Sequence, residues 1–270
     1  MACCRGKWLG RMLRRVTATR YVTPLREGGS LPAIVEAEDE GLYVLKFRGA
    51  GQGPKALLAE VLAGELARAM GFRVPELVLV DLEPELGRAE PDSEIRALLK
   101  ASAGLNLGVD YLPGSITFDP VAGPAPGVAE ASALVCFDAY VMNVDRTAKN
   151  PNLLCWHHAL WLIDHGAALY FHHAWKDALQ SAASPFAPIQ HHVLLAWAGE
   201  LSKAEATLHQ RLAPAVLERT VELLPDAWLG TDGFDSKPAH RAGYLAWLRA
   251  RLDASDTFVQ EAERARAQLL

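Results

Sequence analysis

Three side chains near the middle of the chain could together carry phosphoryl chemistry. They are Asp145, Asn150 five residues on, and Asp164, which heads Asp164-His165-Gly166 at the end of an apolar run. An aspartate can take the proton of an attacking hydroxyl, while an amide oxygen and a second carboxylate hold Mg²⁺ against a nucleotide's phosphates. The spacing follows from the metal. Mg²⁺ demands hard oxygens in near-octahedral geometry and keeps one or two side-chain ligands beside water and phosphate. The residues between Asp145 and Asn150 let the loop turn, so that the base, Asp145, and the ligands, Asn150 and Asp164, face one γ-phosphate. Alone, Asp145 and Asn150 would read as a loop cap and Asp164 as a helix cap.

The elements around them weigh against that simpler reading. Leu153–Trp156 and Leu160–Ile163 are apolar runs of strand length, broken by His157, His158 and Ala159. They predict a β-hairpin, although its turn lacks Asn-Gly or Asp-Gly. Such a hairpin returns Asp164 to the end of the sheet where Asn150 sits.

Upstream, strands are expected at Arg20–Leu25, Ala33–Ala37, Leu42–Phe47 and Val74–Leu82. A helix runs from Pro54 to Met70, with proline in its first turn and Gly71 past its end. Residues 83–104 look like an acidic insertion with a short helix. Leu107–Pro113 looks like a crossing between two lobes, where Asp110 and Tyr111 are assigned to nucleotide contact. The Pro/Gly-rich Asp119–Gly127 is the best linker, and beyond residue 128 the chain is mainly helical apart from the hairpin. Trp175, Trp197, Trp228 and Trp247 suit core positions.

Lys46 lies in the otherwise apolar run Tyr43–Phe47. A buried ammonium there needs a partner, and a strand lysine can grip α/β-phosphates while a helix glutamate orients it. Two acids on the 54–70 helix compete for that role. Glu65 shares the face of Leu58, Val61, Leu62 and Ala69, whereas Glu60 lies beside the small stripe Ala56, Ala63 and Ala67, where a helix can approach a sheet closely. Glu60 is preferred. Two glycine-rich segments compete for the phosphates. Gly28-Gly29-Ser30 lies between strands ahead of Lys46 and is preferred. Gly49–Gly53 leads into the helix and could hold an anion at its N-terminus.

The 270 residues suffice for one large domain or two lobes around a cleft. With 50% hydrophobic and 22% charged residues, the composition is ordinarily globular. A net charge of −5 gives no long-range attraction for nucleic acid or acidic membranes. No run is long and apolar enough to span a bilayer; Ala131–Val144 is short and carries Asp138. Residues 1–15 hold five basic residues without an apolar core, so they are expected to be a disordered extension, with Met12 as an alternative start. Cys3, Cys4, Cys136 and Cys155 show no metal spacing and are read as reduced thiols of a cytoplasmic protein. The pairs His157–His158, His172–His173 and His191–His192 match no metal motif and are expected in loops and on the surface; His165 stands apart because it follows Asp164.

With these residues in hand, the chain resembles the HipA-family serine/threonine kinases. The D-x-x-A-K-N loop of similar members is matched from Asp145 to Asn150. Their helix pattern E-x6-A-x2-[LM]-G-x2-V-P is matched by Glu60, Ala67, Met70, Gly71, Val74 and Pro75, which supports Glu60 over Glu65. The resemblance spans roughly residues 20–200. It implies an α+β, bilobal, protein-kinase-like fold: a small β-rich N-lobe with one helix over residues 16–114, and a larger, mainly helical C-lobe over 115–270. It also implies ATP and Mg²⁺ as cofactors and a protein hydroxyl as acceptor, a small molecule being the alternative. A nucleotide-binding pseudokinase and a histidine-based metal hydrolase are the readings from other classes. The chain departs from the kinase pattern at His165, where eukaryotic kinases have phenylalanine, and at Asn143-Val144 ahead of the base. It is also shorter than toxin-type members.

Overall fold

Strands with apolar side chains on alternate positions must cover a buried face, and the first five strands do so by closing on themselves. The computed structural model describes residues 12–25, 31–87, 90–230 and 233–269. In chain order, β1 (Arg14–Pro24), β2 (Ala33–Ala37) and β3 (Leu42–Lys46) form an antiparallel meander. Helix α1 (Pro54–Met70), β4 (Leu77–Leu82), helix α2 (Ser93–Ala101) and β5 (Gly104–Asp110) follow. The order around the sheet is β1-β2-β3-β5-β4, and parallel pairing of Arg14–Thr17 with Val78–Asp81 closes the barrel.

That closure corrects the expected disordered extension over residues 1–15. Arg14 and Arg15 belong to β1, which starts six residues before the expected Arg20. Their charges find partners: Arg14 pairs with Asp39 at 2.8 Å and Glu76 at 3.0 Å, and Arg15 pairs with Asp81. Residues 1–11 lie outside the described residues.

Val16, Val35, Leu45, Val78 and Val80 fill the barrel. Asn106 plugs one end, accepting from the Arg48 N–H and donating to the Ser102 and Gly104 carbonyls, each at 2.8 Å. Gly108 has no room for a side chain, since a Cβ there would lie 2.7 Å from a Val80 methyl and 2.8 Å from one of Val78. Gly108→Val should therefore destabilise by about 1–3 kcal/mol through overpacking. An unchanged urea midpoint would show that the barrel can give way there.

The rest of the chain comprises β6 (Ile116–Thr117), α3 (Val128–Tyr140), β7 (Leu153–Trp156), β8 (Ala159–Leu162), α4 (Ala178–Ala182), α5 (Leu201–Arg211), α6 (Pro214–Glu222), α7 (Lys237–Asp253) and α8 (Ser255–Ala267). Strands β6, β7 and β8 make a small antiparallel sheet. The β7–β8 turn consists of His157 and His158 alone, with φ of 47° and 57°. Two successive left-handed residues make the hairpin turn whose twist suits antiparallel strands, and histidine tolerates that backbone better than most residues. Trp228 and Trp247 are buried, and Trp175 and Trp197 pack against the same core.

Helix α1 ties the two halves together. It begins at Pro54 and ends in a Schellman motif: Gly71, at φ 96°, donates to Arg68 O and Phe72 donates to Ala67 O. Every residue from Leu57 to Ala67 is buried, as expected of a helix covered on all sides. It lies in one apolar cluster with Leu77, Leu107 and Val109 of the barrel and with the helices of the second half, packing against α5 and α6. Backbone bonds continue the link, since Leu162 N–H donates to Arg73 O at 2.8 Å. Among the described residues no helix is long and apolar enough to cross a membrane, and Cys136 and Cys155 are free thiols.

Candidate active site

Alternation along β3 decides where Lys46 goes. Tyr43, Leu45 and Phe47 point into the barrel, so Lys46 points out of it, onto α1. Its Nζ donates to Glu60 Oε2 at 2.8 Å and to Asp164 Oδ1 at 2.7 Å. Glu60 is 1% exposed, Lys46 17% and Asp164 49%, so the pair with Glu60 forms the base of a cleft and Asp164 its wet rim. Burial alone would strip the charge from Lys46, but the two carboxylates outweigh it and hold the ammonium more firmly charged than usual. Burial likewise opposes the Glu60 carboxylate, yet Lys46 and His165 keep its pKa below the usual range. Glu65 takes no part here and pairs with Arg68 at 3.3 Å.

His165 is 1% exposed, with Nδ1 3.8 Å from Glu60 Oε1. Its neighbour Asp164 has φ 54°. A non-glycine residue held in that region costs free energy that the surrounding packing must supply.

The Asp145–Asn150 loop closes on itself. Thr147 N–H donates to Asn150 O at 3.0 Å, and Asn150 N–H donates back to Thr147 O at 3.2 Å. Asp145 Oδ2 accepts from Asn150 Nδ2 at 2.7 Å and from Asn152 Nδ2 at 3.2 Å. The Asp145 N–H donates to Asn143 Oδ1 at 3.2 Å. Two amide donors thus aim the Asp145 carboxylate.

Beneath this loop lies a charged centre that the motifs do not announce. Arg146 is 1% exposed and its Nε donates to Asp138 Oδ2 at 2.6 Å. Asp138 also accepts from Asn143 Nδ2 at 3.1 Å and meets His192 Nε2 at 2.9 Å. Leu194 N–H donates to His192 Nδ1, so the proton on that ring sits on Nε2 and points at Asp138. Burial opposes the Asp138 charge, but Arg146 and His192 overcome it and hold the carboxyl well below the usual range. The other end of Arg146 donates to the carbonyls of Asn152 and Ile163. One guanidinium therefore fixes α3, the Asp145–Asn150 loop, and the residue preceding Asp164.

Two histidine expectations fail here. His192 and His172 are buried, His172 beside Tyr244 Oη at 3.1 Å. Among the described residues no cluster of three or more His, Cys, Asp or Glu could hold a metal ion.

Lys46, Asp145, Asn150 and Asp164 line one cleft of about 700 Å³, together with Lys149 and Asn152. Gly28, Gly29 and Ser30 lie outside the described residues. The second-choice segment reaches the cleft through Ala50, Gly51 and Gln52; Gly51 has φ 50° and open space where a Cβ would stand. Asp110 and Tyr111 are not among the lining residues. Tyr111 N–H pairs with Leu42 O, and Asp110 titrates above its usual value through burial and the neighbouring Glu76 and Asp39. The antiparallel register explains this: Lys46 faces Leu107, which puts Asp110 opposite Tyr43, toward the far end of β3.

Asn152, Arg146 and His192 belong to no motif, although each touches the Asp145 loop or the charged centre beneath it. Asp138 did leave a signal, as a charge within the apolar stretch Ala131–Val144, where burial requires a partner.

A protein-family profile described as HipA-like kinase matches residues 19–257. No curated protein matches the chain at a significant level. Among solved structures, the Helicobacter pylori proinflammatory kinase CtkA is similar, with a TM-score of 0.56 and 10% identity over 93% of this chain and 98% of that one. That likeness shows a shared kinase fold of mixed helix and strand. The Golgi casein kinase with Mn/ADP bound overlays with a TM-score of 0.47 and 13% identity, covering 96% of this chain and 76% of that one.

Proposed function

The chain belongs to the HipA-like kinase family, and we propose that it moves the γ-phosphoryl group of ATP, with Mg²⁺, to a Ser or Thr hydroxyl of a protein. The observation that carries this reading is the ammonium of Lys46, held 2.8 Å from Glu60 and 2.7 Å from Asp164 in the cleft that Asp145 and Asn150 also line. A lysine so fixed presents positive charge to phosphate without reorganising during the reaction.

The donor set fits Mg²⁺. Asp164 offers a half-exposed carboxylate and Asn150 an amide oxygen, both hard ligands on one cleft. When bound, the metal would neutralise phosphate charge. The protein's own part is positioning. Lys46 grips the phosphates, the turn at Ala50–Gln52 lets its backbone approach them, and Asp145, aimed by Asn150 and Asn152, takes the hydroxyl proton. General-base help and placement of the reactants supply the acceleration.

Two variants test the nucleotide side. Lys46→Met removes a charge-assisted contact, so Mg·ATP affinity should fall by about 1.5–3 kcal/mol while the protein stays folded. Calorimetry giving an unchanged affinity would return Lys46 to a purely structural pair with Glu60. Removal of Mg²⁺ with a chelator should weaken ATP binding in the wild type but not in Asp164→Ala. Equal metal dependence in the two proteins would take Asp164 out of the metal site.

A further inference from the structure

A second depression is lined by Val144, the residue that precedes Asp145. Its floor is Met142 and Val144, and its walls are Tyr170 and the run Ser184–Pro188; the volume is about 390 Å³. No charged side chain lines it, and it shares no lining residue with the cleft of Lys46. Val144 is bonded directly to Asp145, so the proposed base stands at the boundary between a polar cleft and an apolar groove.

The groove is pre-formed. Leu169 N–H donates to Val141 O at 2.7 Å, which pins the segment carrying Tyr170 against the start of the catalytic loop. Phe186 is 4% exposed and anchors the proline-flanked wall. Met142, Leu169 and Phe186 have φ of 53°, 56° and 60°, all left-handed without being glycine. Met142 and Phe186 line the depression and Leu169 precedes its Tyr170, so the packing must hold all three strained conformations. Yet Val144 remains 39% exposed and Tyr170 59% exposed, so the apolar surface is open to a partner.

We propose that this groove is the acceptor site and that it takes an apolar side chain of a polypeptide within about two residues of the phosphorylated Ser or Thr. The inference rests on the kinase reading and deepens it by choosing a protein acceptor over a small polar one. Continuity decides the occupant. A hydroxyl directed at Asp145 must carry its chain past Val144, and successive Cα atoms stand about 3.8 Å apart, so a neighbouring side chain falls into the groove. A sugar or amino alcohol would find no charge and few polar groups there to orient it, whereas Leu, Phe, Met or Pro finds a matching wall.

The test uses the full chain, Mg·ATP and a set of peptides with a central Ser or Thr. Leu, Phe, Pro, Gly, Asp or Lys is fixed in turn at each of the two positions on either side. At one or more positions the apolar peptides should exceed the Asp peptides in kcat/KM by at least about tenfold, the discrimination expected of one buried apolar side chain. Ala187→Asp places a charge on the exposed wall, away from Asp145, and should erase that preference while Mg·ATP affinity is unchanged. Equal rates for all flanking residues, or a preference that survives Ala187→Asp, would overturn the groove and leave the kinase reading standing. Preferential phosphorylation of small hydroxyl compounds would also overturn it. No transfer to any acceptor would overturn the kinase reading and the groove together.

Discussion

Asp145→Asn should lower phosphoryl transfer by about 10²–10⁴-fold, the usual contribution of a general base, and leave Mg·ATP binding near the wild-type value. The substitution keeps the size of the side chain, so the loop loses little packing. Asn150 and Asn152 donate to Asp145 Oδ2 at 2.7 and 3.2 Å, and an amide oxygen can still accept from them. What disappears is the charge that draws the acceptor proton, an interaction used only on the way to the transition state. The loss should therefore appear in kcat rather than in nucleotide affinity. Rapid-quench single-turnover kinetics beside calorimetry separates the two. A variant as fast as wild type would place the base elsewhere. A variant that also fails to bind Mg·ATP would show that Asp145 shapes the nucleotide site.

Asp138→Ala should have the largest effect on stability, about 3–5 kcal/mol, because it strands the Arg146 charge in the interior. Arg146 and Asp138 side chains are both 0% exposed. Against a typical total of about 5–15 kcal/mol, that loss removes a large share of the fold. Guanidinium denaturation should show a lower midpoint with little change in slope. Asp138→Asn, which still accepts hydrogen bonds from Arg146 and His192, should lose less. Equal stability of wild type and Asp138→Ala would mean that the Arg146 guanidinium finds water or another acceptor, so that Asp138 does not anchor the loop of the base.

Much of the site could be read from local order. The spacing of Asp145 and Asn150 and the hairpin ahead of Asp164 suggest that the three share one cleft, as they do, and α1 declares its ends through Pro54 and Gly71. Glu60 could be preferred over Glu65 because small residues mark where a helix approaches a sheet, and the structure places Glu60 against Lys46. The barrel's closure was hidden for a different reason. Arg14 and Arg15 look like a solvated tail until Asp39, Glu76 and Asp81 are brought beside them by the barrel. Parallel pairing of β1 with β4 also joins residues more than sixty positions apart, beyond any periodicity.

The charged centre was hidden by distance as well. His192 reaches Asp138 from 54 residues along the chain, beyond the hairpin, α4 and three short 3-10 turns, so no spacing rule links them. The histidine pairs misled because their meaning lies in burial, which adjacency along the chain does not encode. The position of Asp110 and Tyr111 depends on register, which composition does not encode: antiparallel pairing sets Lys46 opposite Leu107 and Asp110 opposite Tyr43.

Transfer of phosphate from ATP to a protein hydroxyl should be visible when the purified chain is incubated with γ-labelled ATP and Mg²⁺, with and without cell lysate. Mass spectrometry then identifies the labelled species. Label should appear on Ser or Thr residues of polypeptide, be lost on chelation of the metal and fall by orders of magnitude in Asp145→Asn. Absence of label on the chain itself, on lysate proteins and on small hydroxyl compounds would contradict such transfer, and the cleft around Lys46 would then bind nucleotide without chemistry.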